Sequence, residues 1–187
     1  TPAAPRQTIA IQQLVRGKFT TLVTRKLTKK STYKAVLNPT KAGGNQFRIC
    51  KTPSRKVDAG CSTPVKVAVY RWHYLTDFDA VDNSYIYEQD PISINGVTYK
   101  KSLTSDSSGT EFREYNLNRK CSAFKAVLGV EDESQSAGRG SWEILTDGAS
   151  RVNASFVLGQ ATPVSLDVSN ALRIRFESTT QSGNTYA

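Results

Sequence analysis

Two stretches in the second half of the chain alternate between positions of opposite character. Phe124, Ala126 and Leu128 are spaced by Lys125 and Val127, and Trp142, Ile144 and Thr146 by Glu143 and Leu145. A period of two puts alternate side chains on opposite faces of an extended backbone, so both stretches predict half-buried strands. The period recurs where Val65, Val67 and Val69 alternate with Lys66, Ala68 and Tyr70. It recurs again where Leu172, Ile174 and Phe176 alternate with Arg173, Arg175 and Glu177. Shorter strands are predicted over 111–117, 155–158 and 164–168. Asn95-Gly96 between the apolar runs 92–94 and 97–99, and Asp147-Gly148 after Thr146, carry hairpin-turn chemistry. No segment keeps an amphipathic helical period over three turns, so the predicted fold class is all-β.

The first third is less regular. Ile9, Ile11, Phe19, Leu22, Val23, Leu27, Tyr33, Val36 and Leu37 favour strands, with a turn expected at Lys29-Lys30-Ser31. Residues 1–7 read as a leader, 38–44 as a loop, 47–50 as a short strand and 51–63 as a basic loop. The stretch 75–91 holds Asp77, Asp79, Asp82, Asp90, Tyr85 and Tyr87 and predicts a long acidic, aromatic surface loop.

Charge divides the chain. Residues 1–66 hold 14 Lys and Arg against one acid, Asp58, while 67–187 hold 11 against 15. That asymmetry predicts a basic β-rich module over 1–70 and a second module over 71–187. The cluster Arg25, Lys26, Lys29 and Lys30 would attract a polyanion or an acidic protein face. Few aromatics interleave with it and no nucleic-acid motif is present, so nucleic acid is not the expected partner.

Cys50, Cys61 and Cys121 match no metal-binding spacing such as Cys-x-x-Cys. In an exported protein Cys50 and Cys61 would close a short loop as a disulfide and leave Cys121 unpaired and buried. In a cytosolic protein they would stay thiols. The opening Thr-Pro-Ala-Ala-Pro resembles what remains after signal-peptide cleavage, and export is the expectation. No apolar run is long enough to span a bilayer.

Candidate chemistry is sparse. A Ser-His-Asp triad would need the single histidine, His73, and no Gly-x-Ser-x-Gly elbow exists. His73, flanked by Trp72 and Tyr74, is expected to be a packing or strand-end residue. The acids are abundant but none is marked by a motif, so catalysis is not expected within these residues. Exposed aromatics can stack on pyranose rings while polar neighbours bond hydroxyls. Trp72, Tyr74, Tyr85 and Tyr87, with Asp79, Asp82 and Asn83, are the ligand-binding candidates.

Several segments together resemble a known family: Tyr74-Leu75-Thr76-Asp77, Ile94 through Tyr99, Tyr115-Asn116-Leu117, the stretch 121–134, Asp147-Gly148 and 164–176. In that order and spacing, over about three-fifths of the chain, they resemble the NPCBM carbohydrate-binding modules attached to bacterial glycoside hydrolases. The resemblance implies a galactose-binding-like β-sandwich (a jelly roll), a role in holding sugar polymers, and burial of Trp142. Related sandwiches hold a structural Ca²⁺, for which Glu131, Asp132 and Glu133 are the candidate ligands because Ca²⁺ prefers carboxylate oxygens. Two departures stand out. Ser102-Leu103-Thr104-Ser105-Asp106-Ser107 replaces a turn that carries a histidine in the family. The Asp-Trp of the family's closing strand would fall beyond Tyr186-Ala187, so the polypeptide is expected to continue. The expected function is non-catalytic carbohydrate recognition by an exported bacterial protein. Alternatives are an accessory subunit of a cell-envelope or surface-layer complex docking through its basic module, and the non-catalytic head of a larger enzyme.

Overall fold

The structure, a computed structural model, describes residues 6–39, 41–52, 58–105, 109–134 and 138–180. The leader positions 1–5, the basic-loop residues Arg55 and Lys56, Asp106-Ser107 of the altered turn, and the closing Tyr186-Ala187 lie outside the described residues. The chain divides into two compact units, Thr1–Arg71 and Trp72–Ala187.

The first unit is an antiparallel sheet of β1 (Thr8–Val15), β2 (Lys18–Lys26), β3 (Gly43–Lys51), β4 (Gly60–Cys61) and β5 (Val65–Val69). β1 and β2 form a hairpin whose turn, Arg16-Gly17, has both residues at positive φ (49° and 79°). That double left-handed turn matches the twist of the flanking strands. The predicted turn at Lys29-Lys30-Ser31 also forms, just past the end of β2, where Ser31 N–H donates to Thr28 O. β3 pairs with β1 on one edge and with β4 and β5 on the other. The register sets Ile11 opposite Ile49 and Gln12 opposite Arg48, which separates an apolar face from a polar one. Tyr33, Leu37, Phe47 and Val65 line a cleft on the apolar face, together with Ile11. Cys50 and Cys61, directly opposed across β3 and β4, are joined as a disulfide.

The second unit begins with a single 3₁₀ turn, Leu75–Asp77, and continues through eleven strands. They are β6 (Ala80–Ser84), β7 (Ile86–Gln89), β8 (Ile92–Ile94), β9 (Val97–Tyr99), β10 (Ser102–Ser105), β11 (Gly109–Asn116), β12 (Ala123–Gly129), β13 (Arg139–Thr146), β14 (Ala149–Val157), β15 (Ala161–Asp167) and β16 (Arg173–Thr180). One layer is a five-stranded sheet in the order β14-β13-β16-β11-β6. Three two-stranded ribbons, β12-β15, β10-β7 and β8-β9, supply the remaining strands. Both groups send side chains into one core: Trp142, Ile144, Ile174 and Tyr115 from the sheet, Leu128, Val164 and Ile86 from the ribbons. The chain is therefore all-β and its second unit a β-sandwich, in which Trp142 is buried at 4% exposure.

The expectation of a loop over 75–91 is corrected. The acidic residues there lower strand propensity, but Asp82 and Asn83 lie in β6 against β11, and Tyr87 lies in β7 against β10. Pairing with a partner strand outweighs intrinsic preference, which is weak in sheets. Cys121 is half-buried rather than buried. It packs at the edge of the core, and burial pushes its thiol pKa up. Among the described residues no helix is long and apolar enough to cross a membrane.

Candidate functional site

β6 and β7 are consecutive in the chain but belong to different layers, and the crossing takes place at one residue, Tyr85. Three neighbours force the bend. On one side the Ser84 hydroxyl donates to the Glu111 carboxylate, holding β6 to β11. On the other, Ile86 is fully buried in the core. The Arg113 guanidinium then ties β7 back to the sheet, donating to Ile86 O (3.0 Å) and to Glu88 Oε1 (2.7 Å). Between these fixed points Tyr85 has φ +46° and is 71% exposed. A non-glycine side chain in the left-handed region costs about 1–2 kcal/mol and persists only where its surroundings impose it. The strain turns a large aromatic ring out into solvent.

Tyr85 also bridges to Phe112 on β11. The Arg175 guanidinium lies 3.7 Å above the Phe112 ring, with its Nε bonded to Glu177 Oε1 at 2.6 Å. The residue that Tyr85 bridges to, Phe112, thus carries a guanidinium held flat with a carboxylate bonded to it.

The other ligand candidates fall in different places. Trp72 and Tyr74 precede the 3₁₀ turn, at the far end of β6 from Tyr85, and are 67% and 58% exposed. A strand of five residues, roughly 16 Å long, lies between the two aromatic groups. Lys125 Nζ stands 5.4 Å from the Trp72 ring, and His73 meets Phe78 edge-on at 6.0 Å. Asp79 and Asn83 are exposed, Asp82 lies opposite Glu114 in the β6-β11 ladder, and Tyr87 is part-exposed on β7. The seven residues therefore form no single patch.

The acidic triplet does not converge. Glu131 is buried at 5% exposure and accepts a bond from Gln89 Nε2 (3.2 Å). Burial first, then the neighbouring Glu133 and Asp132, pushes its pKa above the usual carboxylate value. Asp132 turns the other way and accepts the backbone N–H groups of Asn95 (2.7 Å) and Gly96 (2.8 Å), capping the β8-β9 turn. Glu133 faces solvent. Two of the three carboxylates thus already hold partners within the fold, and among the described residues no group of three or more His, Cys, Asp and Glu side chains could hold a metal. Sequence spacing could not reveal the cap, since Asp132 and Asn95 meet only in the folded chain.

In the first unit Arg25 is bonded to the neighbouring Thr24 O (2.9 Å), and Lys26, Lys29 and Lys30 are exposed. Sequence reasoning missed the stacking of Arg48, 3.9 Å over the Phe19 ring, because the stack depends on the register of three strands.

Comparison with known proteins adds to this geometry. A family model described as "NPCBM/NEW2 domain" matches residues 71–187. A curated Renibacterium salmoninarum protein named as an endo-alpha-N-acetylgalactosaminidase is 31% identical over 78 residues, 42% of this chain and 5% of that protein. Two solved Clostridium perfringens ZmpB structures share the fold. One, of the M60 catalytic domain with the CBM51-1 and CBM51-2 domains, has TM-score 0.51 at 18% identity over 88% of this chain and 20% of that one. The other, of CBM51-2 in complex with GlcNAc and INT domains, has TM-score 0.51 at 15% identity over 78% of this chain and 36% of that one. Each match takes in only a small part of the relative's own length.

Proposed function

Residues 71–187 belong to the NPCBM/NEW2 domain family, and from that premise we propose that the chain is a non-catalytic carbohydrate-binding module whose sugar platform is Tyr85. The observation that carries the choice is the strained, 71% exposed backbone position of this ring. A ring held out by its own backbone can take the C–H face of a pyranose with little further ordering, while Arg175 and Glu177 offer donor and acceptor groups nearby. Trp72 and Tyr74 would serve a separate contact. The protein is exported and acts on glycans outside the cell, in keeping with relatives in which the matched domain is a small part of a longer protein. Any catalytic step belongs to a partner domain.

The test is a glycan array on the full chain, followed by titration of the best sugar. Tyr85→Ala should weaken binding by roughly tenfold or more, the size of one lost aromatic contact, while Tyr85→Phe keeps it. Trp72→Ala should change it less than about twofold. Absence of binding to any glycan, or loss on Trp72→Ala instead, would refute the assignment of the platform. In the first case the accessory-subunit reading, with an acidic cell-envelope partner, would take its place.

A further inference from the structure

Among the described residues, the first unit carries charge that no ion pair within it neutralises. In the second unit Lys101, Arg113, Arg173 and Arg175 pair with Asp77, Glu88, Glu114 and Glu177. Over residues 6–66, among the described residues, no basic side chain makes an ion pair, and one acid, Asp58, stands against the 14 Lys and Arg of residues 1–66. Edge lysines can serve only to discourage strand pairing, and Lys18 and Lys26 at the ends of the edge strand β2 fit that role. Arg48 does not, because it lies on β3, which is paired on both edges.

Arg48 is also held in position. Its Cζ lies 3.9 Å over the Phe19 ring, and its Nε donates to Gln12 Oε1 at 2.8 Å. The Gln12 amide is fixed in turn by donating to Thr21 Oγ1 at 3.3 Å. The two terminal amino groups of Arg48 make no hydrogen bond among the described residues. A planar fork, already ordered and with its outer edge free, is suited to bidentate capture of a carboxylate or sulfate. Lys66, exposed on β5, lies opposite Gln46 and so on the same face as Arg48.

We propose that this polar face of the first unit is a second binding surface, which takes the acidic groups of an anionic polysaccharide on Arg48, with Lys66 beside it. Nucleic acid is disfavoured because the guanidinium covers Phe19, leaving that ring unavailable for base stacking. A polysaccharide also suits a chain whose other unit is a carbohydrate-binding domain, since two sites on one polymer raise the effective concentration of each. The surface nevertheless stands independently of the Tyr85 platform.

The full chain is titrated with polygalacturonate, heparin, neutral dextran and a double-stranded DNA oligonucleotide at several salt concentrations. Binding to one or both acidic glycans, weakening steadily as salt rises, is expected. A response to polygalacturonate alone assigns carboxylate as the ligand group, and a response to heparin alone assigns sulfate. Arg48→Lys keeps the net charge but loses the fork, and should weaken acidic-glycan binding about fivefold or more. Lys66→Gln leaves the Arg48 stack in place and should weaken binding more than Lys30→Gln, which removes the same charge elsewhere. Tyr85→Ala should leave acidic-glycan binding unchanged, which separates this surface from the sugar platform. Equal binding by Arg48→Lys and the unmodified chain would overturn the proposal. So would DNA binding tighter than both acidic glycans at matched salt.

Discussion

Gly129 is the last residue of β12, and its α-carbon faces two other elements at close range. A Cβ added there would stand 2.5 Å from Ile94 Cγ2 on β8 and closer still to the carbonyl oxygen of Gln160, which precedes β15. Ordinary heavy-atom contacts lie at about 3.5–4.0 Å, so Gly129→Ala requires movement of about an ångström. Ile94 can rotate away, but the Gln160 carbonyl is backbone. Overpacking of this kind costs about 1–3 kcal/mol, against which the reduced freedom of the unfolded chain returns about 0.4–1 kcal/mol. Because the closest contact is to rigid backbone, the cost falls at the upper end of that range, and a net loss of about 2 kcal/mol is expected, or roughly 6–12 °C in the melting temperature of a unit of this size. Emission from Trp142 provides the assay, because both tryptophans lie in the second unit and Trp72 is already exposed. Two controls sharpen it. Gly148→Ala meets open space at φ +82° and should cost only the backbone strain, about 1 kcal/mol. Ile94→Ala combined with Gly129→Ala should recover part of the loss, as contacting residues do in a double-mutant cycle. If Gly129→Ala melts no lower than Gly148→Ala and shows no coupling to Ile94, the packing of the β8-β9 hairpin against β12 and β15 is refuted.

Three further outcomes follow from the same structure. Replacing Cys50 and Cys61 by alanine should destabilise the first unit by about 3 kcal/mol through the loop-closure entropy of a short loop, seen in backbone circular dichroism and not in Trp142 emission. Glu131 has a raised pKa, so its stabilising contribution is present below the ordinary carboxylate pKa and is lost as pH rises through the folded value. Glu131→Gln, which can still accept from Gln89, should therefore raise the second unit's melting temperature at neutral pH, with the gain vanishing near pH 4; a neutral or lower melting temperature at pH 7 would contradict it. Asp147 shows the opposite sign: its carboxylate accepts the N–H groups of Leu172 (3.0 Å) and Arg173 (2.8 Å), and these bonds lower its pKa. Asp147→Asn should destabilise the second unit above about pH 4, and the difference should close as acid protonates the wild-type side chain, measured by melts across pH.

What could be read in the sequence is what depends on neighbours along the chain. Trp142, Ile144 and Thr146 show their burial in a plain alternation, and the Asn95-Gly96 and Asp147-Gly148 turns adopt the paired positive φ their side chains permit. The Cys50–Cys61 bridge is open to sequence only on the premise of export, and the pairing of β3 with β4 is what brings the two sulfurs together. β6 and β7 were hidden because acids such as Asp82 and Glu88 weaken local preference, while the partners that decide the matter, β11 and β10, come later in the chain. The partners of the acidic triplet were hidden for the same reason. Three carboxylates adjacent in sequence project in different directions once Asp132 caps a turn 36 residues upstream. The Arg48–Phe19 stack requires two strand registers at once, and no local pattern encodes it.

The single-residue crossing at Tyr85 has a mechanical consequence. A module tethering a larger protein to a polymer feels tension whenever the polymer moves, and that force enters at the residue gripping the ligand. With Tyr85 as the sugar platform, a pull directed along the strands would pass lengthwise into two ladders, β6 against β11 and β7 against β10, belonging to different layers. A lengthwise pull strains the hydrogen bonds of a ladder together, whereas a peeling force opens them one at a time. The Ser84–Glu111 and Arg113–Glu88 contacts stand as clips on either side of the entry point. A grip at this bend would therefore yield at higher force than one mounted on a free loop, and single-molecule extension with the sugar as handle would measure the difference.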